Sequence, residues 1–180
     1  MSQRDEQVLL TLEVSARDHA QGPATAPATL VEYGDYECPH CGRAYPIVKE
    51  IQHRMGARLR FVFRNFPLQE SHPHAEHAAE AAEAAGAQGK FWEMHDALYE
   101  NQAALEPENL IEYGSGLGLD IDRFTRELNE HIYAPRVRED FRSGVRSGVN
   151  GTPSFFINGV LYTGAYDVRS MLTALKEAEA

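Results

Sequence analysis

Two cysteines separated by two residues, Cys38 and Cys41, constrain the fold of this chain more than any other feature, and they are its only cysteines. They follow an apolar, β-branched stretch at residues 29–33 and precede a helical pattern at residues 44–51. The first thiol therefore lies at the beginning of a helix, where unpaired backbone N–H groups and the positive end of the helix dipole stabilise a thiolate. The second thiol is near enough to close a disulfide within the chain. A strand, a CxxC pair and a helix in this order predict a redox site in an α/β fold.

The two residues between the cysteines adjust the redox pair. Pro39 falls in the first helical turn, where its missing N–H costs nothing and its fixed φ helps to start the helix. His40 carries a proton near neutral pH or, when neutral, offers an N–H donor close to the sulfurs. Both residues favour the thiolate of Cys38. Because this stabilises the reduced form, we expect the Cys38–Cys41 disulfide to be a comparatively strong oxidant.

Glu32 precedes Cys38 by six residues, within the predicted strand. If its side chain points into the core, it is a buried carboxylate with a raised pKa. Such a group can move protons for Cys41 when a mixed disulfide is resolved. The alternative is a surface glutamate on an edge strand.

A second element surrounds Thr152 and Pro153. Residues 151–160 predict a loop, a buried strand, an Asn-Gly turn and a further strand. A proline cannot donate to a strand ladder, so Pro153 stands at the first position of its strand or on an edge. Taken alone, Pro153 is better explained as an ordinary turn proline, and the CxxC pair elsewhere in the chain favours the other interpretation.

The remaining pattern alternates strands and helices. It predicts a short strand at residues 8–14, a loop at 16–28, a strand at 29–34, a helix from the CxxC pair to residue 54 or 55, and a strand at 58–64. Pro46 predicts a kink in that helix and Gly56 its end. Five helices then follow at about 73–86, with Pro73 at the first position, 89–101, 107–117, 120–131 and 135–147. A hairpin at 154–163 and a helix at 167–177 close the chain.

Three motifs give the chain a family resemblance, and they lie at residues 33–41, 63–67 and 151–153. With them the chain resembles the DsbA-like thiol:disulfide oxidoreductases of the thioredoxin superfamily, in their shorter branch, from about residue 28 onward. The resemblance implies an α/β fold with a thioredoxin-like core, a central mixed sheet flanked by helices, and an inserted all-helical subdomain. The core would comprise residues 1–70 and 150–180, and the insertion residues 71–149.

The resemblance also implies roles for individual residues. Cys38 and Cys41 would be the catalytic pair, tuned by Pro39 and His40, and Glu32 matches the buried acid that such proteins carry beneath the site. The Thr152-Pro153 bond would be cis and lie against the disulfide. The backbone of Thr152 would then be free to pair with a bound peptide or thiol.

We therefore predict a protein-disulfide oxidoreductase that needs no cofactor and exchanges disulfides with protein substrates. It would use a redox partner, either a membrane oxidase or a thiol reductant. One alternative is a glutathione-linked transferase or isomerase on a related fold, which would not require the second cysteine. Another is a binding module that recognises unfolded chains near Thr152 and Pro153.

Composition and charge exclude other classes. Lys and Arg number 17 against 27 Asp and Glu, a net charge of −10 without a basic cluster, so nucleic acid is not an expected partner. No apolar run is long enough to be embedded in a membrane. No metal site is predicted, since a structural zinc site needs four ligands and there is no second CxxC. Three histidines, His72, His74 and His77, are interpreted as solvated polar residues.

The beginning of the chain bears on localisation. The residues after Met1 do not form a signal peptide. A chain native from Met1 is therefore expected in the cytoplasm. If a leader has been removed, the protein is expected in the periplasm or another extracytoplasmic compartment.

Overall fold

The computed structural model describes residues 7–180, so the prediction concerning Met1 and the residues next to it lies outside the described part. A five-stranded mixed sheet forms the centre, in the order β1-β3-β2-β4-β5. Only the central pair, β2 and β3, is parallel, and the other three pairs are antiparallel. The strands are β1 His19–Gln21, β2 Ala28–Gly34, β3 Leu59–Asn65, β4 Ser154–Ile157 and β5 Val160–Tyr162.

Seven helices are described. They are α1 Pro39–Met55, α2 Ala75–Gly86, α3 Phe91–Glu100, α4 Pro107–Gly116, α5 Ile121–Asn129, α6 Ala134–Arg146 and α7 Val168–Ala178. Helix α1 follows β2 and ends at Gly56, whose φ of 53° and backbone N–H bond to Gln52 stop the helix as expected. Helices α2 to α6 all lie between β3 and β4, which confirms the predicted helical insertion. The division into domains 1–70 with 150–180 and 71–149 stays a prediction.

Strand β2 separates two apolar clusters because alternate side chains of a strand point to opposite faces. Leu30 belongs to the larger cluster, together with both cysteines and the buried side of α1. Val31 and Tyr33 belong to a smaller cluster on the other face. Glu32 shares the face of Leu30, so the sequence alternation alone directs its carboxylate toward the cysteine side of the sheet.

The prediction for the first strand is wrong in position. Residues 8–14 contribute only an isolated bridge, between Leu9 and Val160, whereas the strand forms within the predicted loop, at His19–Gln21. It pairs antiparallel with the outer side of β3. The open edge of β3, with its unpaired backbone groups, selects these three residues although they have no strand pattern of their own. Gly22, at φ 89°, then turns the chain. Only glycine fits at this position, because a Cβ there would lie 2.0 Å from the Leu59 carbonyl oxygen.

The helices of the insertion form largely where expected. Asp120 caps α5 by accepting from the Arg123 N–H at 3.1 Å, as predicted. Helix α2 begins at Ala75 and not at Pro73 as predicted, and His74 is the residue that precedes its first turn. Its alanines are buried on all sides, so α2 passes through the interior with neighbours close to its backbone. Among residues 7–180, no helix is both long and apolar enough to span a bilayer.

Candidate active site

The CxxC pair lies at the N-terminus of α1. Cys38 is the residue before the helix, with φ −68° and ψ 122°, and Pro39 is its first residue. The Gly42 N–H donates to the Cys38 carbonyl at 3.0 Å, which closes the first helical turn. Both cysteines are free thiols and largely covered, since Cys38 is 3% exposed and Cys41 is 0% exposed. The structure therefore confirms the predicted strand, CxxC and helix arrangement.

The surroundings of Cys38 favour its thiolate. A hydrogen bond from the Cys41 thiol lowers the pKa of Cys38 most, against an opposing effect of burial, and the result is a pKa of about 5. Hydrogen bonds from the Thr152 side chain and from the backbone N–H groups of Cys41 and His40 lower it further. These backbone groups are the helix N-terminal donors that the sequence predicts. The larger contribution of the Cys41 thiol was not predicted.

The environment of Cys41 has the opposite effect. Burial, the hydrogen bond to Cys38 and the negative charge of Glu32 together raise the pKa of the Cys41 thiol far above its ordinary value. The two sulfurs thus have separate states near neutral pH, a thiolate at Cys38 and a thiol at Cys41.

Glu32 is buried in the core, so the alternative of a surface glutamate is wrong. It is 2% exposed, and its Oε1 atom has no hydrogen-bond partner among the described residues. Burial raises the pKa of Glu32 to about 8, with a further increase from the charge on Cys38. A cavity of about 10 Å³ borders Glu32 and is also lined by Gln21, Lys49 and Gln52. A cavity of this size is close to the minimum for one water molecule, and its polar lining suits one.

Thr152 and Pro153 approach the CxxC pair from the other side. Their peptide bond is cis, and Pro153 stands directly before β4. The Thr152 carbonyl oxygen lies 3.6 Å from the Cys38 sulfur. The Thr152 hydroxyl is buried without a hydrogen-bond partner among the described residues, and the Thr152 side chain contributes to the lowered pKa of Cys38. The predicted substrate-binding pair therefore adjoins the nucleophilic sulfur.

His40 is exposed, and its ring contacts two neighbouring side chains. Its Nδ1 atom lies 2.5 Å from Arg43 Nη2 and 3.3 Å from the Tyr166 hydroxyl. A guanidinium group has donors only, so Nδ1 must accept and carries no proton.

Asp35 is a site residue that lies within the motif at residues 33–41, and the sequence predicted no role for it. Its buried carboxylate accepts from the backbone N–H of Cys38 at 3.1 Å and of Leu68 at 2.9 Å, and from His72 Nδ1 at 2.8 Å. Although partial burial lowers the pKa of His72, the hydrogen bond and charge of Asp35 raise it overall. Asp35 thereby connects the backbone of Cys38 to the loop that follows β3.

A second unexpected contact comes from Gln102, in the loop between α3 and α4. Its Nε2 atom donates to the carbonyl oxygens of Tyr36 and Cys38, each at 2.9 Å. Gly42 makes this approach possible, since a Cβ at that position would lie 2.0 Å from Gln102 Oε1. The contact joins residues far apart in sequence, so no local pattern could reveal it.

The three histidines are less solvated than predicted. His72 contacts Asp35, and His74 bridges Glu37 at 3.3 Å and Glu106 at 3.0 Å. His72 and His74 act as half-buried polar links at the start of the insertion, whereas the half-buried His77 has no hydrogen-bond partner for its Nε2 atom among the described residues. No group of metal-binding side chains is present among residues 7–180.

Comparisons with known proteins agree with this geometry. A family model described as Thioredoxin matches residues 15–177. The chain belongs to the thioredoxin family. Its fold is DsbA-like, because it superposes on oxidised BdbD from Bacillus subtilis with a TM-score of 0.82 at 22% identity, covering 90% of this chain and 92% of that one. A thioredoxin-like oxidoreductase from Silicibacter pomeroyi gives a TM-score of 0.78 at 27% identity, covering 91% and 93%. The predicted thioredoxin-like core with a helical insertion is confirmed.

Curated relatives in sequence are longer proteins. The Na(+)/H(+) antiporter NhaA 1 of Salinispora arenicola is 48% identical over 164 residues, which are 91% of this chain and 25% of the antiporter. The chain thus spans about a quarter of the length of the curated relatives that it matches. For this thioredoxin-family chain, the shared part is the region that carries the CxxC site.

Proposed function

We propose that this protein is a thiol:disulfide oxidoreductase that exchanges disulfides with protein substrates through Cys38 and Cys41. The observation that carries the proposal is the state of Cys38: a sulfur at a helix N-terminus whose pKa is about 5, beside the Thr152-Pro153 bond. A thiol with a low pKa is both an available nucleophile and a good leaving group. The thioredoxin-family fold supports the same chemistry.

In the oxidising direction, a substrate thiolate attacks the sulfur of Cys38 in the Cys38–Cys41 disulfide. A substrate–Cys38 disulfide forms, and Cys41 leaves with the electron pair of the broken bond. Because the pKa of the Cys41 thiol is raised, its sulfur takes up a proton, and Glu32 with its pKa of about 8 is the proposed donor. A second substrate thiolate then attacks the substrate sulfur and releases the Cys38 thiolate. The substrate is oxidised by two electrons and the protein pair is reduced.

The reverse reaction uses the same groups. The Cys38 thiolate attacks a substrate disulfide, Glu32 accepts the proton of Cys41, and the Cys41 thiolate displaces the substrate. The direction depends on the redox partner and the compartment. Net oxidation suits an extracytoplasmic protein reoxidised by a membrane oxidase, whereas a cytoplasmic protein would draw electrons from a thiol reductant.

The deciding experiment follows oxidation of a reduced dithiol protein by the wild type and by Cys41→Ser. The wild type should turn over, and Cys41→Ser, mixed with a disulfide substrate, should accumulate a mixed disulfide at Cys38. The glutathione-transferase alternative requires the Cys41→Ser variant to keep full activity with a small electrophile. The binding-module alternative requires peptide affinity to survive removal of both thiols. Either result, together with a wild type that does not turn over the dithiol protein, would refute the proposal, and equilibration with glutathione would set its direction.

The antiporter name of the curated relatives belongs to proteins about four times as long as the shared region, since that region is 25% of the antiporter. We propose no transport activity for this chain. The disulfide chemistry proposed above requires only residues within the shared region.

A further inference from the structure

A groove of about 700 Å³ opens between the loop that follows β3 and helix α6. Leu68 and Glu70 line one wall, Phe141 and Arg142 line the other, and Asn150 lies at one end. None of these residues has a part in the chemistry proposed above.

The loop wall of the groove is hydrogen-bonded to Cys38 through Asp35, and the end at Asn150 is close in sequence to Thr152. On the loop side, the Leu68 N–H donates to Asp35, whose other carboxylate oxygen accepts from the Cys38 N–H. On the other side, Asn150 is two residues before Thr152, whose carbonyl lies 3.6 Å from the Cys38 sulfur. An extended chain rises about 3.3 Å per residue. A peptide bound through its cysteine to Cys38 therefore reaches the groove with its second or third residue.

The inner surface of the groove is apolar and rigid. Leu68 and Phe141 are both partly exposed there. The ring of Phe141 stacks on the buried ring of Phe66 with centroids 4.3 Å apart. A preformed apolar surface of this kind takes up a side chain without a large ordering cost.

Charges of both signs line the groove: Arg138 and Arg142 on α6, and Glu70 and Glu76 on the other segments. Arg142 is exposed and takes part in no ion pair among residues 7–180. Arg136, on the same helix, points away from the groove to Glu83 and Asp140 at 3.8 Å each. The guanidinium of Arg142 has donors free for a carboxylate, a pairing that it makes in a fixed geometry.

We propose that this groove is a subsite for an extended polypeptide substrate whose cysteine is attached to Cys38. An apolar side chain two or three residues from that cysteine packs on Leu68 and Phe141, and a neighbouring carboxylate pairs with Arg142. Backbone pairing with the segment before Pro153 would hold the peptide extended. The inference rests on the proposed function and adds a substrate class to it: protein cysteines near an apolar and an acidic residue.

The test measures second-order rate constants of the oxidised protein with three thiols. One is the peptide Asp-Leu-Ala-Cys-Ala-Leu-Asp, which presents the required residues on both sides of its cysteine. The second has lysine at both ends, and the third is glutathione, which is too short to reach Arg142. Each peptide rate is divided by the glutathione rate of the same variant.

In the wild type, the aspartate peptide should react faster than the lysine peptide. Arg142→Glu should shift this ratio by about three- to tenfold toward the lysine peptide, the range expected when an exposed charge pair is reversed. Arg146→Glu is the matched control, with the same charge change on the same helix outside the groove, and should leave the ratio unchanged. Replacing both leucines of the peptide by glycine should slow the reaction about tenfold.

Equal ratios in the wild type and Arg142→Glu, with glutathione exchange intact, would overturn the subsite and leave the proposed function standing. An equal shift in Arg146→Glu would assign the effect to overall charge and also overturn the subsite. If Arg142→Glu changed the sedimentation mass, the groove would be an interface between two copies of the chain instead. Absence of exchange with all three thiols would refute the proposed function itself.

Discussion

At the scale of single residues, the site divides two chemically identical thiols into different states. Cys38 receives hydrogen bonds from the Cys41 thiol, Thr152 and the helix backbone, whereas Cys41 is buried and faces the charge of Glu32. The same S–H···S contact therefore stabilises the Cys38 thiolate and the Cys41 thiol. In the proposed exchange, this arrangement would make Cys38 the attacking and leaving sulfur, and each exchange would need a proton transfer at Cys41.

The Cys41 thiol should be the main control on the reactivity of Cys38. Alkylation of Cys38 in the reduced wild type is expected to follow a pH midpoint near the pKa of about 5. Cys41→Ala removes the strongest donor, so the midpoint should rise toward the ordinary cysteine value of about 8.5. Cys41→Ser keeps a donor and should shift the midpoint less. If the alanine variant titrates like the wild type, the backbone N–H groups of α1 are sufficient without the second thiol.

Glu32 should make stability depend on pH. Its folded pKa of about 8 exceeds the ordinary value of 4.5, so the folded state binds more protons between these values. The free energy of unfolding must therefore fall as pH rises from 4.5 to 8, by at most about 5 kcal/mol. Glu32→Gln cannot ionise and should remove this fall.

Urea unfolding of the oxidised wild type and of oxidised Glu32→Gln tests this expectation. The oxidised form is suitable because neither cysteine titrates, while burial, the larger cause of the Glu32 shift, persists. The variant should be the more stable of the two at pH 8, and the difference should vanish below pH 4.5. A constant difference across this range would mean that Glu32 does not change its protonation there.

At the scale of structural elements, a buried ion pair holds the N-terminal segment against the sheet. Arg64 on β3 donates to both carboxylate oxygens of Asp18 at 2.9 and 3.0 Å, and both side chains are fully covered. The same guanidinium donates to the carbonyls of Leu12 and Glu13. This contact fixes the segment that the sequence predicted as a strand and that instead runs as an irregular chain over the sheet.

Removing Asp18 should destabilise the protein strongly. Asp18→Ala leaves the Arg64 charge buried without a partner, for which we expect a loss of about 3–5 kcal/mol in urea unfolding. Arg58→Gln is the matched control, because the Arg58–Glu179 pair is partly exposed and should contribute less than about 1 kcal/mol. Asp18→Ala combined with Arg64→Met should recover much of the loss. A small effect of Asp18→Ala alone would show that water replaces the carboxylate.

The elements that could be predicted from the sequence are those with a local signal. The apolar, β-branched stretch of β2, the CxxC pair with Pro39, the end of α1 at Gly56 and the Asp120 cap each depend on neighbouring residues, and the structure confirms them. The position of strand β1 could not be predicted, because its three residues, His-Ala-Gln, are too few to show a hydrophobic alternation. Their pairing depends on the free edge of β3, which exists only in the folded sheet.

The candidate site shows the same difference between features with a local sequence signal and contacts that form only in the folded protein. Its cysteines and the Thr152-Pro153 segment are recognisable because their spacing and residue types carry the chemistry. The contacts of Asp35 with His72 and of Gln102 with Cys38 join positions 37 and 64 residues apart. Such contacts depend on how the insertion lies over α1, and no window of sequence contains both partners.

At the scale of the whole molecule, reduction of the disulfide changes how the stability of the folded protein depends on pH. The reduced protein gains the interactions of the Cys38 thiolate, which the oxidised protein lacks. Because the folded pKa of about 5 is below the ordinary cysteine value of about 8.5, the Cys38 thiol of the folded reduced state loses its proton at a lower pH than in the unfolded chain. This contribution is fully present above pH 9 and is lost as pH falls through 5.

The stability difference between the reduced and oxidised forms should therefore change with pH in a fixed direction. Paired thermal unfolding measurements should show the reduced form gaining relative to the oxidised form from pH 5 to pH 9, with little change below pH 5. The corresponding equilibrium with glutathione must follow, because the redox potential and the two stabilities form one thermodynamic cycle. Thr152→Val, which removes the hydroxyl donor, should reduce the gain, whereas Thr173→Val on α7 is a matched control away from the sulfurs. A difference independent of pH would contradict a stabilised thiolate at Cys38 and, with it, an oxidising protein.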